Sequence, residues 1–275
     1  MNRIKNIFLL LILGVVVMIS CDDDNVNGFI NPFEDVDYEA LAISDNDSIV
    51  KFLSTHYYDT LNEEVRLIDA GQSSMFSDSE NLKIKDVTSN DINYKLYVYI
   101  TNIGEPNSSK GNPTKVDSVF ISRNELPLLN NSISFDPLKE NNQVWWNLLP
   151  TFDFVEENER PLLGAIEAFQ FFKPGENITD DGPITYQNTG KGYIFMPSGI
   201  AYPSINYVPR QPINSLFDLI IVYKVELLDF VEDTDHDIDG TPSIEEDANG
   251  DENPRNDFSD PTNPNLPDYL NPNIR

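Results

Sequence analysis

Apolar and polar residues alternate along several stretches in the middle of the chain. From Asn93 to Thr101 every second residue is apolar or aromatic, and the residues that share one face are Tyr94, Leu96, Val98 and Ile100. This period of two predicts a β-strand. Similar patterns predict further strands at residues 116–122, 192–196 and 216–228. The loops between them are rich in Asn, Pro, Gly and Ser, which favour turns.

Two other stretches carry apolar residues at helical spacing. The first follows Asp47 or Ser48, either of which suits the N-cap of a short amphipathic helix that ends near Tyr58. The second begins after Pro161, which suits a first helical turn, and ends at Lys173-Pro174-Gly175. Its apolar face consists of Leu162, Ile166, Phe169 and Phe172. A single short helix within a region of strands predicts an α+β fold in which an antiparallel sheet packs against the helix.

The first twenty residues have the pattern of a secretory signal peptide. Arg3 and Lys5 precede an apolar run from Ile7 to Ile19, which is shorter than the roughly 20 residues that span a bilayer. Cys21, the only cysteine, follows a small residue at the end of this run, and this arrangement resembles the lipobox at which a cysteine is acylated before cleavage. We therefore expect residues 1–20 to be removed and Cys21 to anchor the mature protein to a membrane. A transmembrane anchor is the alternative.

Negative charge is concentrated near both ends of the mature chain. Nine carboxylates and no Lys or Arg lie between Cys21 and Val50, and residues 21–43 are predicted to form an acidic tether. An acidic run directly after an acylated cysteine also resembles the export signal of outer-membrane lipoproteins of Bacteroidetes-type bacteria. The expected location is therefore the cell envelope, as an outer-membrane lipoprotein that faces the periplasm or the surface. The formal net charge of -28 argues against a nucleic-acid partner, because phosphate binding needs clustered Lys and Arg.

Four sequence blocks between about residues 94 and 230 resemble the FKBP family of peptidyl-prolyl cis-trans isomerases. In chain order they are Ser134-Phe135-Asp136, Gly164 through Glu176, Met196-Pro197-Ser198-Gly199-Ile200-Ala201-Tyr202 and Lys224-Val225-Glu226-Leu227-Leu228. The resemblance implies an FKBP-like antiparallel half-barrel sheet wrapped on a short helix, over residues 93–230. Residues 44–92 would be a helical N-terminal extension and residues 231–275 an irregular acidic tail.

The same resemblance implies a proline pocket between sheet and helix. Asp136 and Tyr202 fall on its catalytic positions, with the Tyr202 hydroxyl donating to the substrate carbonyl, and the substrate-binding positions are Phe135, Leu162, Ile213 and Tyr223. Rotation of an X-Pro bond breaks no covalent bond, so the implied activity needs no cofactor. The implied partners are proline-containing segments of exported proteins.

Two residues depart from the family pattern. Ala165 stands at the position of the pocket-floor tryptophan, and Arg123 falls near that of a strand tyrosine. One residue of Trp145-Trp146 could refill the volume, since adjacent strand residues face opposite ways. The departures leave an alternative open, a non-catalytic proline-peptide-binding or structural calcium-binding lipoprotein with a degenerate pocket.

The acidic tail contains a calcium-loop pattern, D-x-D-x-D-G-x5-E, which begins at Asp235. The candidate Ca²⁺ ligands are Asp235, Asp237, Asp239, the backbone carbonyl of Thr241, and Glu246. A preceding strand and Pro242 argue against a helix-loop-helix hand, and the pattern resembles the loose calcium repeats of thrombospondin type 3-like tails.

Less complete patterns surround this loop. Asp247 through Asp251 begins a second, incomplete loop, and Leu266 through Asn271 resembles the end of a third. His236 is expected to face solvent, and His56 to be a packed or surface imidazole rather than a ligand. Composition alone favours the alternative of a disordered acidic tail.

Overall fold

The computed structural model describes residues 31–106, 109–133, 143–149, 160–208 and 211–274. These fall into two units: the described residues up to Val36 together with Ile205–Ile213, and a larger unit of Asp37–Ser204 and Asn214–Arg275. In the smaller unit, Phe33 contacts Tyr207 edge to face, with ring centroids 5.3 Å apart. Within the described ranges no helix is both long and apolar enough to cross a membrane. The predicted signal peptide and Cys21 lie outside the described residues.

The larger unit contains helices and strands in a mixed order. In chain order they are α1 (Tyr38–Thr55), β1 (His56–Asp59), β2 (Glu64–Leu67), β3 (Leu82–Ser89), β4 (Ile92–Asn102), β5 (Ser118–Pro127), β6 (Gln143–Asn147), α2 (Leu163–Phe169), β7 (Glu176–Asn177), β8 (Tyr186–Gln187), β9 (Gly190–Met196) and β10 (Ile221–Val231). Single turns of 3-10 helix include Ser198–Ile200 and Asp268–Leu270.

Six strands form an open antiparallel sheet in the order β3-β4-β9-β10-β5-β6. Every pairing is antiparallel, and the pairing of β10 with β5 has a register shift between Leu227 and Asp229. Strand pairs β1–β2 and β7–β8 form separate two-stranded ribbons. The predicted α+β class, with an antiparallel sheet packed against a short helix, is confirmed.

Both faces of this sheet are buried, each under a different helix. The β4 residues predicted to share one face pack on the α2 side together with Phe169 and Phe172. They are Tyr94, Leu96, Val98 and Ile100. The alternate residues Tyr97 and Tyr99 point to the opposite face, where they share a core with Ile49, Phe52 and Leu53 of α1. A sheet with two covered faces explains why β4 is apolar or aromatic at consecutive positions.

The N-terminal helix begins earlier than its sequence pattern predicts. The Asp37 carboxylate caps α1 by accepting the Ala40 N–H at 3.0 Å, so the predicted start at Asp47 or Ser48 is wrong. The sequence pattern missed the first turns of α1 because Asp45 places an acidic residue on the expected apolar face and breaks the periodicity. In the structure this side chain is buried. Residues 38–43, predicted as part of the tether, are helical.

Candidate functional site

A charged pair lies among aromatic rings on the α2 side of the sheet. Arg123 and Glu125 are two residues apart on β5, so their side chains emerge on one face, and the strand register places Tyr223 of β10 opposite Glu125. The Arg123 guanidinium pairs with the Glu125 carboxylate. It also lies 4.4 Å from the ring centroid of Trp146 and 5.2 Å from that of Tyr223. We refer to Arg123, Glu125, Trp146, Tyr202 and Tyr223 as the β5 cluster.

The tryptophan pair divides between the two sides of β6. Trp146 is 5% exposed and packs in the core beside Tyr223, whereas Trp145 is 50% exposed and stacks on Phe120 with centroids 5.1 Å apart. The prediction that only one of them points inward is confirmed. Trp146 therefore adds buried aromatic surface to the β5 cluster, from a strand and not from the helix.

Tyr202 is held by the acid of the β5 cluster. Its hydroxyl donates to Glu125 Oε1 at 2.7 Å. Burial, followed by the negative charge of Glu125, raises the pKa of Tyr202 well above that of an ordinary tyrosine. The phenol therefore stays protonated and remains a hydrogen-bond donor across the physiological pH range.

Tyr223 is more deeply placed in the same cluster. It is almost completely buried, and burial together with Glu125 raises the pKa of its phenol well above the usual range. Both tyrosines thus present neutral hydroxyls near one carboxylate. The sequence pattern did not indicate Glu125, because the predicted strand ended at residue 122 whereas β5 extends to Pro127.

The start of α2 packs in the same apolar core as the aromatic residues of the β5 cluster. Leu162 is the N-cap residue, is 7% exposed, and its carbonyl accepts the N–H groups of Ala165 and Ile166 at 2.9 and 3.0 Å. Leu162, Tyr202 and Tyr223 all pack in the apolar cluster that contains Trp146. Ala165, one of the two predicted departures from the FKBP pattern, is fully buried in the same cluster.

A buried carboxylate of α1 fixes the turn that leads to Tyr202. Asp45 Oδ2 accepts the backbone N–H of Ser198 at 2.8 Å and its hydroxyl at 2.6 Å. The next residue, Gly199, lies against the Tyr94 ring so closely that a Cβ there would be 2.0 Å from a ring atom. The N-terminal extension therefore holds the Met-Pro-Ser-Gly turn in place, a role that its sequence did not disclose.

The structure does not test the other three predicted pocket residues. Phe135 and Asp136 lie outside the described residues. Ile213 belongs to the smaller unit and is 58% exposed. Their assigned roles stay predictions.

The tail brings the first predicted calcium ligands together. Asp235, Asp237 and Asp239 each offer a carboxylate oxygen, and these atoms lie within 4.8 Å of one another. Asp235 accepts the N–H groups of Ile238 and Gly240 at 2.7 and 2.9 Å, which closes the loop. Gly240 has φ +99°, a conformation that glycine adopts without strain.

Glu246 shows that this loop buries a carboxyl group without a hydrogen-bond partner among the described residues. It is only 5% exposed, and neither carboxylate oxygen has a hydrogen-bond partner within the described ranges. Burial, and then the charges of Asp237, Asp239 and Asp235, raise the pKa of Glu246 to about 8. Burying a carboxylate in this way is costly unless a cation or donor accompanies it, so the oxygens present fit a hard cation such as Ca²⁺.

The tail is docked on the sheet domain. Tyr269 is fully buried with Val116 and Leu149, so the alternative of a disordered tail is not what the structure shows. His236 bonds through one ring nitrogen to Ser243 at 2.9 Å and through the other to Asn147 at 3.2 Å. The expectation that His236 faces solvent was wrong, because both ring nitrogens make hydrogen bonds that connect the first loop to β6.

Comparison with solved structures finds likenesses to FKBP proteins. No protein-family model matches the chain, and no curated protein does. The crystal structure of FkpA from Escherichia coli is similar at 16% identity and a TM-score of 0.33, over 70% of this chain and 62% of that one. The three FKBP domains of wheat FKBP73 give 13% identity and a TM-score of 0.33, over 55% and 51% of the two chains.

The N-terminal domain of FKBP42 from Arabidopsis thaliana gives 17% identity and a TM-score of 0.31, over 54% and 93% of the chains. The chain thus spans about three fifths of FkpA and about half of FKBP73. The fold class rests on the strand order and helix packing described above.

Proposed function

We propose that the chain is an outer-membrane lipoprotein of the cell envelope, anchored through acylated Cys21, whose FKBP-like domain isomerises X-Pro bonds in exported proteins. One observation carries the proposal. Leu162, Tyr202 and Tyr223 are distant in the sequence, and they pack in one cluster at the junction of sheet and α2. These are three of the six residues that the FKBP resemblance assigns to the proline pocket.

The chemistry of X-Pro rotation suits such a site. The barrier of about 18–20 kcal/mol arises from amide resonance, and an apolar pocket with one hydrogen-bond donor favours the twisted amide over the charge-separated planar form. Tyr202 is a donor of this kind, because burial and Glu125 raise its pKa and keep its hydroxyl protonated. Trp146 and Tyr223 supply apolar ring surface.

Substrate binding in this proposal requires an exchange of hydrogen bonds. The Tyr202 hydroxyl leaves Glu125 and donates to the substrate carbonyl, while Glu125 keeps its ion pair with Arg123. The exchange replaces one hydrogen bond to a carboxylate with one to a neutral amide, so it lowers substrate affinity.

A second candidate function is favoured by Arg123. Its guanidinium lies over the rings of Trp146 and Tyr223, in the volume where a proline ring would contact them, and Ala165 offers no ring from the helix. A domain with this arrangement would bind a segment without turnover. The rival is therefore a non-catalytic binding lipoprotein.

Relaxation of a short X-Pro peptide distinguishes the two functions. The uncatalysed reaction takes tens of seconds or more at 25 °C, and the isomerase proposal expects faster relaxation with micromolar protein. Tyr202→Phe should lower the catalysed rate by up to about tenfold relative to the wild type, since a net hydrogen bond is worth about 0.5–1.5 kcal/mol.

The matched control is Tyr186→Phe. The Tyr186 hydroxyl also donates to a carboxylate, that of Asp229 at 3.4 Å, but it is not part of the β5 cluster. This variant should keep the full rate. Folded wild-type protein that gives no acceleration would remove the isomerase proposal and leave the binding function.

The anchor has its own test. Cells that express the chain and are grown with radioactive palmitate should label the wild-type protein, and Cys21→Ser should take up no label. An unlabelled wild-type protein would overturn the lipoprotein proposal without affecting the isomerase assay. We also propose that the Asp235–Glu246 loop holds a structural Ca²⁺, with no cofactor required for catalysis.

A further inference from the structure

A second group of carboxylates lies in the tail, beyond the loop that ends at Glu246. Asp247, Asp251 and Asp257 each present one oxygen, and these atoms lie within 4.8 Å of one another. Asp247 and Asp251 begin the incomplete second loop seen in the sequence. The loop pattern would place its closing glutamate at position 258, which is phenylalanine, so the pattern missed the carboxylate next to it.

Asp257 provides an independent indication of a ligand. The residue is 5% exposed, and its Oδ2 is buried with no hydrogen-bond partner in the part of the chain that the structure describes. Burial, and then the charges of Asp247 and Asp251, raise the pKa of Asp257. The backbone hydrogen bond from Asn249 only partly offsets these effects, and one oxygen of a carboxylate that lies beside two others stays unpartnered. A cation among the three carboxylates would stabilise it.

Asp260, three residues further along, shows that this tail can satisfy a buried carboxylate when no cation is needed. Its Oδ1 accepts the N–H and the hydroxyl of Thr262 at 2.8 and 2.7 Å. Its Oδ2 accepts the side-chain amides of Asn263 and Asn271, both at 3.1 Å. The unpartnered oxygen of Asp257 is therefore a property of its own site and not of the acidic tail in general.

We propose that Asp247, Asp251 and Asp257 form a second divalent-cation site of the Ca²⁺ class, separate from the loop of Asp235 to Glu246. Three carboxylate oxygens suit a hard cation, and water and carbonyl oxygens complete such a shell. The proposal does not depend on isomerase activity.

The charge of Asp268 influences both sites. The residue is 1% exposed, and its negative charge acts on both Glu246 and Asp257. Its backbone N–H donates to the Asp257 carbonyl at 2.9 Å, and its Oδ1 accepts the Ser259 N–H at 2.6 Å. A cation at either site lowers the local negative charge around this one acid.

The second site is also connected to the helix of the sheet domain. Glu252, next to Asp251, lies 2.8 Å from Lys115 Nζ, and the same ammonium lies 3.3 Å from Glu167 on α2. A cation that orders residues 247–257 therefore also fixes Glu252, which pairs with Lys115.

Calcium stoichiometry tests the proposal with the full chain in nonionic detergent. Equilibrium dialysis against radioactive Ca²⁺ at several millimolar, above the dissociation constants of about 0.1–1 mM of extracellular modules, should give two ions per chain. Asp257→Asn and Asp251→Asn should each give one. Asp251 is exposed, so its variant guards against loss of folding in the buried Asp257 variant.

The controls separate this site from the first. Glu245→Gln removes one exposed charge beside both groups and should keep two ions, whereas Asp239→Asn should remove only the ion of the first loop. Two ions retained in both Asp257→Asn and Asp251→Asn would overturn the second site. One ion in the wild type that disappears in Asp239→Asn would also overturn it, while leaving the first calcium loop intact.

Discussion

The Asp45 carboxylate on α1 accepts two hydrogen bonds from Ser198, one from the backbone at 2.8 Å and one from the hydroxyl at 2.6 Å, across 153 residues of sequence. Both residues are buried. Asp45→Ala would leave two buried donors without an acceptor, so we expect it to lower the free energy of unfolding by about 2–4 kcal/mol. Urea unfolding followed by circular dichroism measures this change.

Asp47→Ala is the control for that substitution. Asp47 lies on the same helix and is exposed, so its removal should leave the unfolding midpoint almost unchanged. Equal destabilisation by the two variants would mean that α1 responds to lost helix charge rather than to the Ser198 contact. A further readout is isomerase activity, which Asp45→Ala should lower because Tyr202 follows the held turn.

Gly199 should not tolerate a side chain. An added Cβ would lie 2.0–2.5 Å from three atoms of the Tyr94 side chain, and overpacking of this kind costs about 1–3 kcal/mol or more. We expect Gly199→Ala to lower the unfolding midpoint, whereas Gly111→Ala, where no atom lies within 4 Å, should not.

A double-mutant cycle identifies the Tyr94 ring as the cause. Tyr94→Leu removes the clashing ring atoms, so Gly199→Ala should cost less in that background than in the wild type. Additive costs would show that the glycine is required for another reason.

Breaking the charged pair of the β5 cluster should destabilise the domain. The side chains of Arg123 and Glu125 are 25% and 17% exposed, so Glu125→Gln would leave a mostly buried guanidinium without its counter-charge. We expect a loss of about 1–3 kcal/mol. Asp86→Asn breaks the well-exposed pair with Lys95 and should have no measurable effect. A Glu125→Gln variant as stable as the wild type would show that Arg123 is held by the aromatic rings alone.

His56 predicts a loss of stability in mild acid. Burial lowers the pKa of its imidazole from the ordinary 6.5, an effect only partly offset by the bond from Nδ1 to the Phe52 carbonyl at 2.8 Å. A depressed pKa means that the unfolded chain binds the proton more readily. The stability that the neutral His56 imidazole contributes is therefore fully present above pH 6.5, and it is lost as the pH falls below 6.5 and the ring takes up a proton.

His56→Phe isolates this contribution. The substitution keeps a ring on Phe52, with which His56 stacks at 3.9 Å between centroids. The urea midpoint of the wild type should fall more steeply from pH 7.5 to 5 than that of the variant. His236 is common to both proteins, so a parallel decline in the two would assign the effect to His236 or to the carboxylates.

The sequence predicted the elements and groups that arise from local periodicity and from motifs in chain order. Alternation in β4 and β9 and the apolar face of α2 gave the sheet and helix, and the aspartates of the first loop gave the clustered oxygens. It could not predict contacts made by polar residues over long separations. Asp45 breaks the pattern of α1 because its partner is Ser198, and Asp257 lies outside the loop register, so each requires the folded chain to be recognised.

Calcium should stabilise the docked tail, and Glu246 should determine how much. Both oxygens of this buried carboxylate are unpartnered within the described part of the chain, and its pKa is raised to about 8, so the calcium-free tail carries an uncompensated charge only above that pH. With a dissociation constant of about 0.1–1 mM, 10 mM Ca²⁺ raises the free energy of unfolding by about 1.4–2.7 kcal/mol per site by mass action. At pH 9, above the pKa of Glu246, Glu246→Gln should be more stable than the wild type in chelator, since a neutral amide is less costly to bury than a charge. The variant should also gain less from added calcium. Tyr269, buried against Val116 and Leu149, makes the near-ultraviolet circular dichroism of tyrosine a suitable signal for unfolding of the tail. If Glu246→Gln instead gained as much from calcium as the wild type, the first loop would have to bind its ion without its twelfth residue.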